Sequence, residues 1–490
     1  MSGLIHFVWG QRSNRSYLLA AVLISIGLMI VFKLLYPYPN MVLDSYYYVQ
    51  AAASNANVGI WPIGYSKFLV VVMALFHSTA VLVWIQYILL VLACLFIFFT
   101  VIYFWKLARL LQFILFLFLF LNPLFLFCCN FIMADALFLA LSVTWITLLL
   151  WIIKAPKPYM IWVHALLLLV AFTVRNNALF YPVIAAIAFL LSPQKPAKKI
   201  AGIGLQIVAI GLFMWYTSVQ MEKMTGTKLF TPFTGWKMAN NALYMYGHLY
   251  KGDNAVMPAI FSPLDSQVRQ YFDSVHRVDN LLAYKAFAGG SYYMFAPNSP
   301  LIGFMNRLSG THGNFLDPRY SAPVATLYSA YGEYLIKRHP IDFFTYFIWP
   351  DAIRYSYPPM ENFSSLPPFF LRDDKFGAAA GKWLGLTTLT VAPNLIRLRN
   401  KLLVPYPFVV FLCHVLFLIG LAGFLLFNGR RRSDPALNKC LLLIVSYCIL
   451  EFCFSVTTAS MILRYLLFIL VLKFTFSLVF IDYMYKLDRN

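Results

Sequence analysis

Long apolar stretches alternate with short polar stretches along most of the chain. Each apolar stretch is about 17 to 25 residues long, the length at which a helix crosses roughly 30 Å of hydrocarbon. Seven of them precede residue 219, and three follow residue 404. The pattern predicts about ten transmembrane helices, near 17–36, 80–104, 110–128, 133–153, 158–174, 177–193, 200–218, 405–427, 438–456 and 460–483.

Composition agrees with this interpretation. Of 490 residues, 61% are hydrophobic and 11% are charged, and the mean hydropathy is +0.73. A water-soluble protein of this size has more charged residues. We therefore expect an all-α polytopic membrane protein with a mixed, mainly helical extracytoplasmic domain. Residues 1–218 contain helices one to seven with a first outer loop at 37–79, residues 219–404 form the extracytoplasmic domain, and 405–490 contain helices eight to ten.

The basic residues predict the orientation in the membrane. The formal net charge is +20, and Lys and Arg concentrate in short clusters at alternate ends of the apolar runs. Basic loops face the cytoplasm in membrane proteins. Both termini are then cytoplasmic, and the segments facing outward are 37–79, 129–132, 175–176, 219–404 and 457–459. The clusters are Arg12 and Arg15; Lys106 and Arg109; Lys154 and Lys157; Lys195, Lys198 and Lys199; Arg430, Arg431, Arg432 and Lys439; and Lys486 and Arg489.

Motifs for several other classes of protein do not occur in the chain. There is no phosphate-binding Gly-x-x-x-x-Gly-Lys-Ser/Thr loop, no dinucleotide fingerprint and no His-Glu-x-x-His zinc motif. No repeat of 20 to 50 residues or inverted symmetry between the two groups of helices is apparent, which counts against many transporters. Candidate chemistry must be sought in the outward segments, where polar side chains at helix ends can reach water-soluble groups.

Four outward sequence motifs together resemble those of a known family. Asp44 follows the first span, an aromatic-rich segment comes next, and the turn 62–66 reads Pro-Ile-Gly-Tyr-Ser. The segment 133–138 reads Met-Ala-Asp-Ala-Leu-Phe, 174–178 reads Val-Arg-Asn-Asn-Ala, and 463–465 reads Leu-Arg-Tyr. This order is similar to that of the polyprenol-dependent glycosyltransferases of the GT-C fold. The resemblance covers the membrane half of the chain and not 219–404.

The resemblance implies a reaction and its partners. An inverting membrane glycosyltransferase of this type takes a sugar from a polyprenyl-phosphate carrier at the outer face of the bacterial inner (plasma) membrane. It transfers the sugar to a hydroxyl group of an acceptor glycan, lipid or protein, and nucleic acid takes no part. Many relatives carry two adjacent acids in the first outer loop, whereas here Asp44 is followed by Ser45. No cofactor is therefore predicted, although a divalent metal remains possible.

Such a reaction needs a base for the acceptor proton and cations for the departing phosphate. Asp44 is the candidate base, and a helix cap is its alternative role. Arg464 and Arg175 are candidates for holding the phosphate, because a guanidinium can bind two phosphate oxygens at once. Arg175 at a helix end can instead reach the interface, whereas Arg464 lies inside a span and needs a partner. Asp135 can orient the acceptor, bind a metal or pair with an arginine.

Two further residues complete the candidate substrate-binding set. Tyr65 lies in the Pro-Ile-Gly-Tyr-Ser turn, and His248 ends a stretch from Thr234 that mixes aromatic, amide and basic groups. Sugars favour such surfaces, yet a structural role is the alternative for His248. Two other functions stay open for the chain: a transporter or flippase of a lipid-linked saccharide, and a non-catalytic scaffold for envelope assembly. Only the enzyme requires Asp44 as a base.

Overall fold

The computed structural model describes residues 2–253, 256–278, 290–296, 298–360, 375–386 and 393–487. The N-terminal part contains α1 (Ser2–Gly10), α2 (Arg12–Leu35), α3 (Leu43–Ala53), α4 (Gly64–Phe76), α5 (Thr79–Trp105), α6 (Arg109–Phe120), α7 (Pro123–Cys129), α8 (Ala134–Lys154), α9 (Met160–Val174), a 3-10 helix (Asn176–Phe180), α10 (Tyr181–Leu191) and α11 (Pro196–Thr225). The helices after α11 fall into two groups.

The first group contains α12 (Phe233–Leu249), α13 (Ser262–Val278), α14 (Tyr292–Phe295), α15 (Pro300–Ser309), α16 (Pro318–Arg338), α17 (Pro340–Phe343), a π-helical turn (Phe344–Ile348), α18 (Trp349–Ser356), α19 (Lys375–Leu384) and α20 (Pro393–Leu403). The second group contains α21 (Tyr406–Leu426), α22 (Gly429–Arg432), α23 (Pro435–Thr458), a 3-10 helix (Leu463–Leu466) and α24 (Leu467–Leu487). The regular secondary structure of the described residues is thus helical, apart from one isolated bridge between Asn40 and Phe131.

Eight helical segments of the described chain are long and apolar enough to cross a membrane. They comprise α2, α5, α6 with α7, α8, α11, α20 with α21, α23, and the last 3-10 helix with α24. The prediction of an all-helical, multi-pass membrane protein is confirmed at this level. The runs predicted at 158–174 and 177–193 form the shorter apolar helices Met160–Val174 and Asn176–Leu191. These two helices are shorter than the roughly 20 residues that cross a bilayer, so they are not counted among the eight long apolar segments of the described chain.

Local signals set the helix ends. The Asp434 side chain accepts a hydrogen bond from the amide of Ala436 at 3.1 Å, and Pro435 occupies the first turn of α23. This combination starts a helix because the carboxylate pairs the Ala436 amide, which has no partner within the helix, and Pro435 has no amide hydrogen that would need one. Gly226 ends α11 with a positive φ of 72°, a conformation that costs glycine little.

The helices α8 and α24 lie at the centre of the membrane bundle. In the most apolar 18-residue part of each of these helices 83% of residues are buried, whereas the corresponding share is 22% in α2 and 22% in α11. The two central helices meet lipid least, so polar groups at their ends are surrounded by protein. Asp135 lies in the first turn of α8, and Arg464 lies in the 3-10 helix that leads into α24.

Polar contacts between basic residues and their partners identify one end of the helix bundle. Lys154 at the end of α8 pairs with Asp434 at 3.4 Å, and Lys486 donates to the carbonyl of Lys106 at 3.0 Å. These residues belong to the basic clusters, so this end is called the basic end. Asp135 and Lys154 lie at opposite ends of α8, which separates them by roughly 30 Å along the axis. Asp135 therefore belongs to the other end, called here the site end.

Between α11 and α21, helices α12 and α16 cross each other closely. A Cβ atom on Gly235 would lie 2.0 Å from the carbonyl oxygen of Ala325, and one on Gly332 would lie 2.6 Å from the backbone of Met238. Only glycine permits such an approach of two helix backbones. The indole of Trp236 donates to the carbonyl of Ser321 at 2.9 Å, which fixes the crossing further.

Candidate active site

Four charged side chains from four separate helix ends meet at the site end: Asp44, Asp135, Arg175 and Arg464. Arg464 Nη1 lies 3.0 Å from Asp44 Oδ2 and 3.8 Å from Asp135 Oδ2. Arg175 Nη1 donates to Asp135 Oδ1. We call these four residues the charged cluster. Two acids and two arginines share it, so their formal charges cancel within the cluster.

A backbone pairing brings the first two loops together. The amide of Asn40 donates to the carbonyl of Asn130 at 2.7 Å, and the amide of Ile132 donates to the carbonyl of Asn40 at 3.0 Å. Gln86 on α5 holds the same turn, because its amide nitrogen donates to the carbonyl of Cys129 at 2.7 Å. The turn leads directly into α8. Asp44 and Asp135 are consequently placed on neighbouring segments although they are distant in sequence.

Asp44 lies in the first turn of α3, where the N-cap residue is Val42. The hydroxyl of Ser45 accepts a hydrogen bond from the amide of Val42 at 3.0 Å. The Asp44 carboxylate instead accepts a hydrogen bond from Arg464 Nη1. A carboxylate in the first turn also benefits from the helix dipole. The position of Asp44 therefore serves both the start of α3 and the charged cluster.

Arg175 and Arg464 are both enclosed by partners. The side chain of Arg464 is 10% exposed, and its Nη1 and Nη2 atoms also approach Met133 Sδ at 3.1 Å and the Tyr465 hydroxyl at 3.2 Å. Both guanidinium groups lie over the ring of Tyr465, at 5.0 Å for Arg464 and 5.2 Å for Arg175. Cation–π contacts of this kind favour a guanidinium at a poorly hydrated position. Arg464 thus has the partners that a charge near a span requires.

Tyr65 is fully buried between Gln86 and Tyr48. Its hydroxyl donates to Gln86 Oε1 at 2.8 Å, and its ring packs edge-on against Tyr48 at 5.0 Å. Burial raises the pKa of Tyr48, and the nearby charges of the cluster act on the same hydroxyl in opposite directions. The charges of all four cluster residues thus act on Tyr48. Its position in an aromatic run gave no signal by which to single it out.

His248 belongs to a different part of the molecule. Its ring stacks on Tyr346 with centroids 4.3 Å apart, at the C-terminal end of α12. Much of the aromatic and amide stretch that precedes it is buried, including Trp236, Asn240 and Tyr244. These residues form the packed face of α12. His248 itself is exposed, so its place in the substrate-binding set stays a prediction.

A narrow cleft of about 30 Å³ lies beside the charged cluster, between α8, α10, α23 and α24. Asp135, Arg175 and Arg464 line one part of it. Aromatic side chains line much of the remainder, and they are Phe138, Phe180, Tyr181, Tyr447, Phe454, Tyr465 and Phe468. Arginine side chains thus lie next to an aromatic wall, a combination that suits an anion attached to an apolar chain.

Glu451 also lines this cleft, and it was not among the site residues predicted from the sequence. It is the only acid within the apolar helix α23, and an isolated acid inside a span is by default a functional candidate. In the described part of the chain, no group of three or more His, Cys, Asp or Glu side chains is arranged to hold a metal ion.

Chemically, the charged cluster can bind an anion and move a proton. Two guanidinium groups at the mouth of an apolar cleft suit a phosphate attached to a hydrophobic chain. A carboxylate within hydrogen-bond distance of one of them can accept a proton once it is released from that pair. Comparisons of the chain with family models, with curated proteins and with solved structures gave no match.

Proposed function

We propose that the protein is an inverting glycosyltransferase of the GT-C type, which transfers a sugar from a polyprenyl-phosphate carrier to an acceptor hydroxyl group. The observation that supports this most is the convergence of Asp44, Asp135, Arg175 and Arg464 at the mouth of one aromatic cleft. A lipid phosphate requires cations beside an apolar channel, and attack by an acceptor hydroxyl group requires a base beside those cations.

In this proposal the donor changes the pairing within the charged cluster. The donor phosphate binds the Arg464 and Arg175 guanidinium groups, competing with Asp44 for the Arg464 Nη1 donor. Asp44 is then released beside the reacting centre. Its carboxylate accepts the proton of the acceptor hydroxyl as the oxygen attacks the anomeric carbon. The bond from that carbon to the phosphate oxygen breaks, and the phosphate leaves with the electron pair while the two arginines stabilise its charge.

Asp135 has a supporting role in this mechanism. It holds Arg175 through a hydrogen bond and lies 3.8 Å from Arg464, so it fixes the spacing of the two cations. The orientation follows from the basic end, which the positive-inside rule assigns to the cytoplasm. The charged cluster would then face outward, in a bacterial inner membrane, where lipid-linked sugars present their head groups.

The test is to incubate purified protein with a panel of polyprenyl-phosphate sugars and acceptors and to measure release of free polyprenyl phosphate. Wild-type protein should release it with at least one donor and acceptor, and Arg464→Ala should not. A transporter or flippase would instead move the intact lipid across a vesicle membrane without cleaving the sugar–phosphate bond. Translocation without cleavage would therefore reject the enzyme and favour the transporter.

A further inference from the structure

The short helix α18 turns its large apolar side chains away from the protein. Trp349 and Ile353 are each 56% exposed, and Tyr357, which directly follows the helix, is 55% exposed. Positions four residues apart lie on one side of a helix, so these three side chains share one surface. We call this surface the apolar face of α18.

The buried side of α18 carries polar groups instead. Asp351 is fully buried, and the hydroxyl of the buried Tyr355 donates to Glu451 Oε2. Arg354, the only cation of the helix, is half-buried and follows Asp351 by three residues, a spacing at which side chains on a helix meet. A surface helix in water has its apolar side inward and its polar side outward. The reverse arrangement in α18 is that of a helix whose outer side meets hydrocarbon.

The contacts of Tyr355 place α18 well inside the membrane bundle. Its carbonyl oxygen lies 3.0 Å from His414 Nε2 on α21, and its hydroxyl donates to Glu451 on α23. His414 follows the start of α21 at Tyr406 by eight residues, and Glu451 precedes the end of α23 at Thr458 by seven. Both positions are therefore roughly 10 to 12 Å from those helix ends, at about 1.5 Å per residue.

These two ends lie at the site end, because the other ends of α21 and α23 lead into the basic clusters. The helix α21 has 21 residues and α23 has 24, which corresponds to lengths of roughly 30 to 36 Å, about the thickness of the hydrocarbon layer. A position 10 to 12 Å from one end then lies within that layer. The main chain of α18 reaches this depth, since the contact with His414 is made by a carbonyl group.

The chain enters the bundle from the site end and returns to it. Before Tyr355, Asp351 Oδ1 accepts a hydrogen bond from the amide of Met461 at 3.3 Å. After Tyr355, the carbonyl oxygen of Pro359 accepts one from the amide of Leu463 at 3.0 Å. Met461 and Leu463 lie in the connection between α23 and α24, so Asp351 and Pro359 are at the level of that connection and only the part between them goes deeper.

The apolar face is continuous with a surface that meets lipid in any case. The ring of Tyr355 packs edge-on against Phe452 with centroids 5.0 Å apart. Phe452 lies on the spanning helix α23 and is 37% exposed, so its outer side meets hydrocarbon. The helix α18 packs beside it, against α21 and α23.

We infer that α18 dips into the half of the bilayer at the site end and that its apolar face, formed by Trp349, Ile353 and Tyr357, contacts the hydrocarbon chains of the lipids there. Part of the segment predicted to be extracytoplasmic is then embedded in the membrane. This helix holds the connection that carries Arg464, through Asp351 and Met461. The placement of α18 is independent of the reaction that the charged cluster performs.

The experiment measures the accessibility of nitroxide spin labels on single cysteines, in the full-length protein with its native cysteines replaced, in lipid nanodiscs. Molecular oxygen is apolar and concentrates in hydrocarbon, whereas a hydrophilic nickel chelate stays in water. The ratio of the two accessibilities at Ile353→Cys should be several times that at Lys337→Cys and close to that at Leu418→Cys. Lys337 is a water-facing control, 75% exposed and paired with Glu333. Leu418 is a lipid-facing control, 61% exposed on α21.

Trp349→Cys provides a second variant and a test of depth. Trp349 lies one helical turn nearer than Ile353 to the point where the chain enters, so its ratio should fall between those at Lys337→Cys and Ile353→Cys. A ratio at Ile353→Cys equal to that at Lys337→Cys would mean that the apolar face meets water and would overturn the inference. Low accessibility to both reagents would mean that protein covers this face, such as a second copy of the chain, and would overturn it as well.

Discussion

Arg464 and Asp44 are 420 positions apart in the sequence, yet Arg464 Nη1 lies 3.0 Å from Asp44 Oδ2. The pair joins the helix α3 of the first loop to the start of the last membrane helix. The Arg464 side chain is 10% exposed and that of Asp44 is 26% exposed. A ligand can therefore reach the pair and replace Asp44 as the partner of Arg464. The pair therefore has the properties of a position that a bound phosphate can open.

The first prediction concerns Arg464. Arg464→Lys keeps the positive charge but loses the planar pair of donors, so donor affinity should fall by roughly tenfold while the protein still folds. Arg464→Ala should lower it further. Donor affinity is measured by titration with a polyprenyl-phosphate sugar. The matched control is Arg319→Lys, because Arg319 is 69% exposed and pairs with Asp317, which is not a member of the charged cluster. Equal donor affinity in wild type and Arg464→Ala would remove Arg464 from the phosphate site.

The second prediction concerns Asp44. Asp44→Asn preserves shape and hydrogen bonding but removes basicity, so turnover should fall by roughly 100-fold to 10,000-fold. Donor affinity should be equal to or higher than that of wild type, because an amide competes less with phosphate for Arg464. Turnover and donor affinity are measured side by side.

The control for Asp44→Asn is Asp317→Asn. Asp317 is the N-cap of α16, and its side chain accepts from the Arg319 amide at 3.0 Å. Asparagine caps a helix about as well as aspartate, so this variant should keep full turnover. Full turnover in Asp44→Asn as well would show that Asp44 serves only the start of α3, and Asp135 would be the next acid to test.

Much of this arrangement could be predicted from the sequence. Apolar runs indicated the spans because only a helix satisfies its own backbone within lipid. The alternation of basic clusters put Asp44, Asp135, Arg175 and Arg464 at one end of the bundle. The pairing of Arg464 with Asp44 was beyond reach, because it depends on the bridge between Asn40 and Phe131 and on the packing of α8 against α24. Glu451 did carry a signal, as a single acid in an apolar run.

The interior of 219–404 shows why the rest could not be predicted. The stretch that ends at His248 has the composition of a sugar-binding surface, but its aromatic and amide groups are largely buried in α12. Composition does not tell which face of a helix packs against a neighbour. That depends on the crossing with α16, which is set by the close approaches at Gly235 and Gly332.

A third prediction concerns pH and Asp351 on α18. Burial raises the pKa of Asp351 to about 7, against the opposing effect of Arg354. Lys237 and the Met461 amide, a donor at 3.3 Å, also lower it. The folded protein then retains a proton that the unfolded chain releases, so the contribution of Asp351 to stability should fall as pH rises from about 4 to about 7. A pKa raised by about three corresponds to a change on the order of 4 kcal/mol in the free energy of unfolding.

The measurement for Asp351 is the thermal unfolding midpoint between pH 4 and pH 9. Asp351→Asn removes the titrating group, so its advantage over wild type should grow from pH 4 to pH 7 and then stay constant. Asp342→Asn is the control, because Asp342 is a partly exposed acid on the preceding helix, with a side chain 39% exposed. A constant difference between wild type and Asp351→Asn across this range would contradict the prediction.

The fourth prediction concerns orientation in the membrane. In a cysteine-free background, single cysteines at Ser13 and Ala197 should resist an impermeant thiol reagent added from outside, because both lie with the basic clusters. A cysteine at Ser309 should react. All three positions are exposed, so lack of reaction would not reflect burial in the protein. Labelling of all three after permeabilisation provides the control. Reaction of Ala197→Cys in sealed cells would reverse the orientation and place the charged cluster on the cytoplasmic side.

The last prediction concerns the coupling between Arg175 and Asp135. The Asp135 side chain is 5% exposed and that of Arg175 is 17% exposed, so this pair is shielded from water. Removal of one partner leaves a buried charge without its closest counter-ion, which typically costs about 3 to 5 kcal/mol. Asp135 retains Arg464 at 3.8 Å, so the cost of Arg175→Met should lie at or below the lower end of that range.

A double-mutant cycle with Arg175→Met and Asp135→Asn measures this coupling through the free energy of unfolding. We expect a coupling energy of about 1 to 3 kcal/mol, since contacting charges in one network are not additive. The matched control is the pair of Lys154 and Asp434 at the basic end, whose side chains are 23% and 56% exposed and lie 3.4 Å apart. Solvent screening limits such a pair to less than about 1 kcal/mol. Equal coupling in the two cycles would mean that the charged cluster is hydrated like a surface. In that case Arg175 would bind a lipid phosphate no more tightly than an exposed arginine does, because tighter binding depends on poor hydration of Arg175.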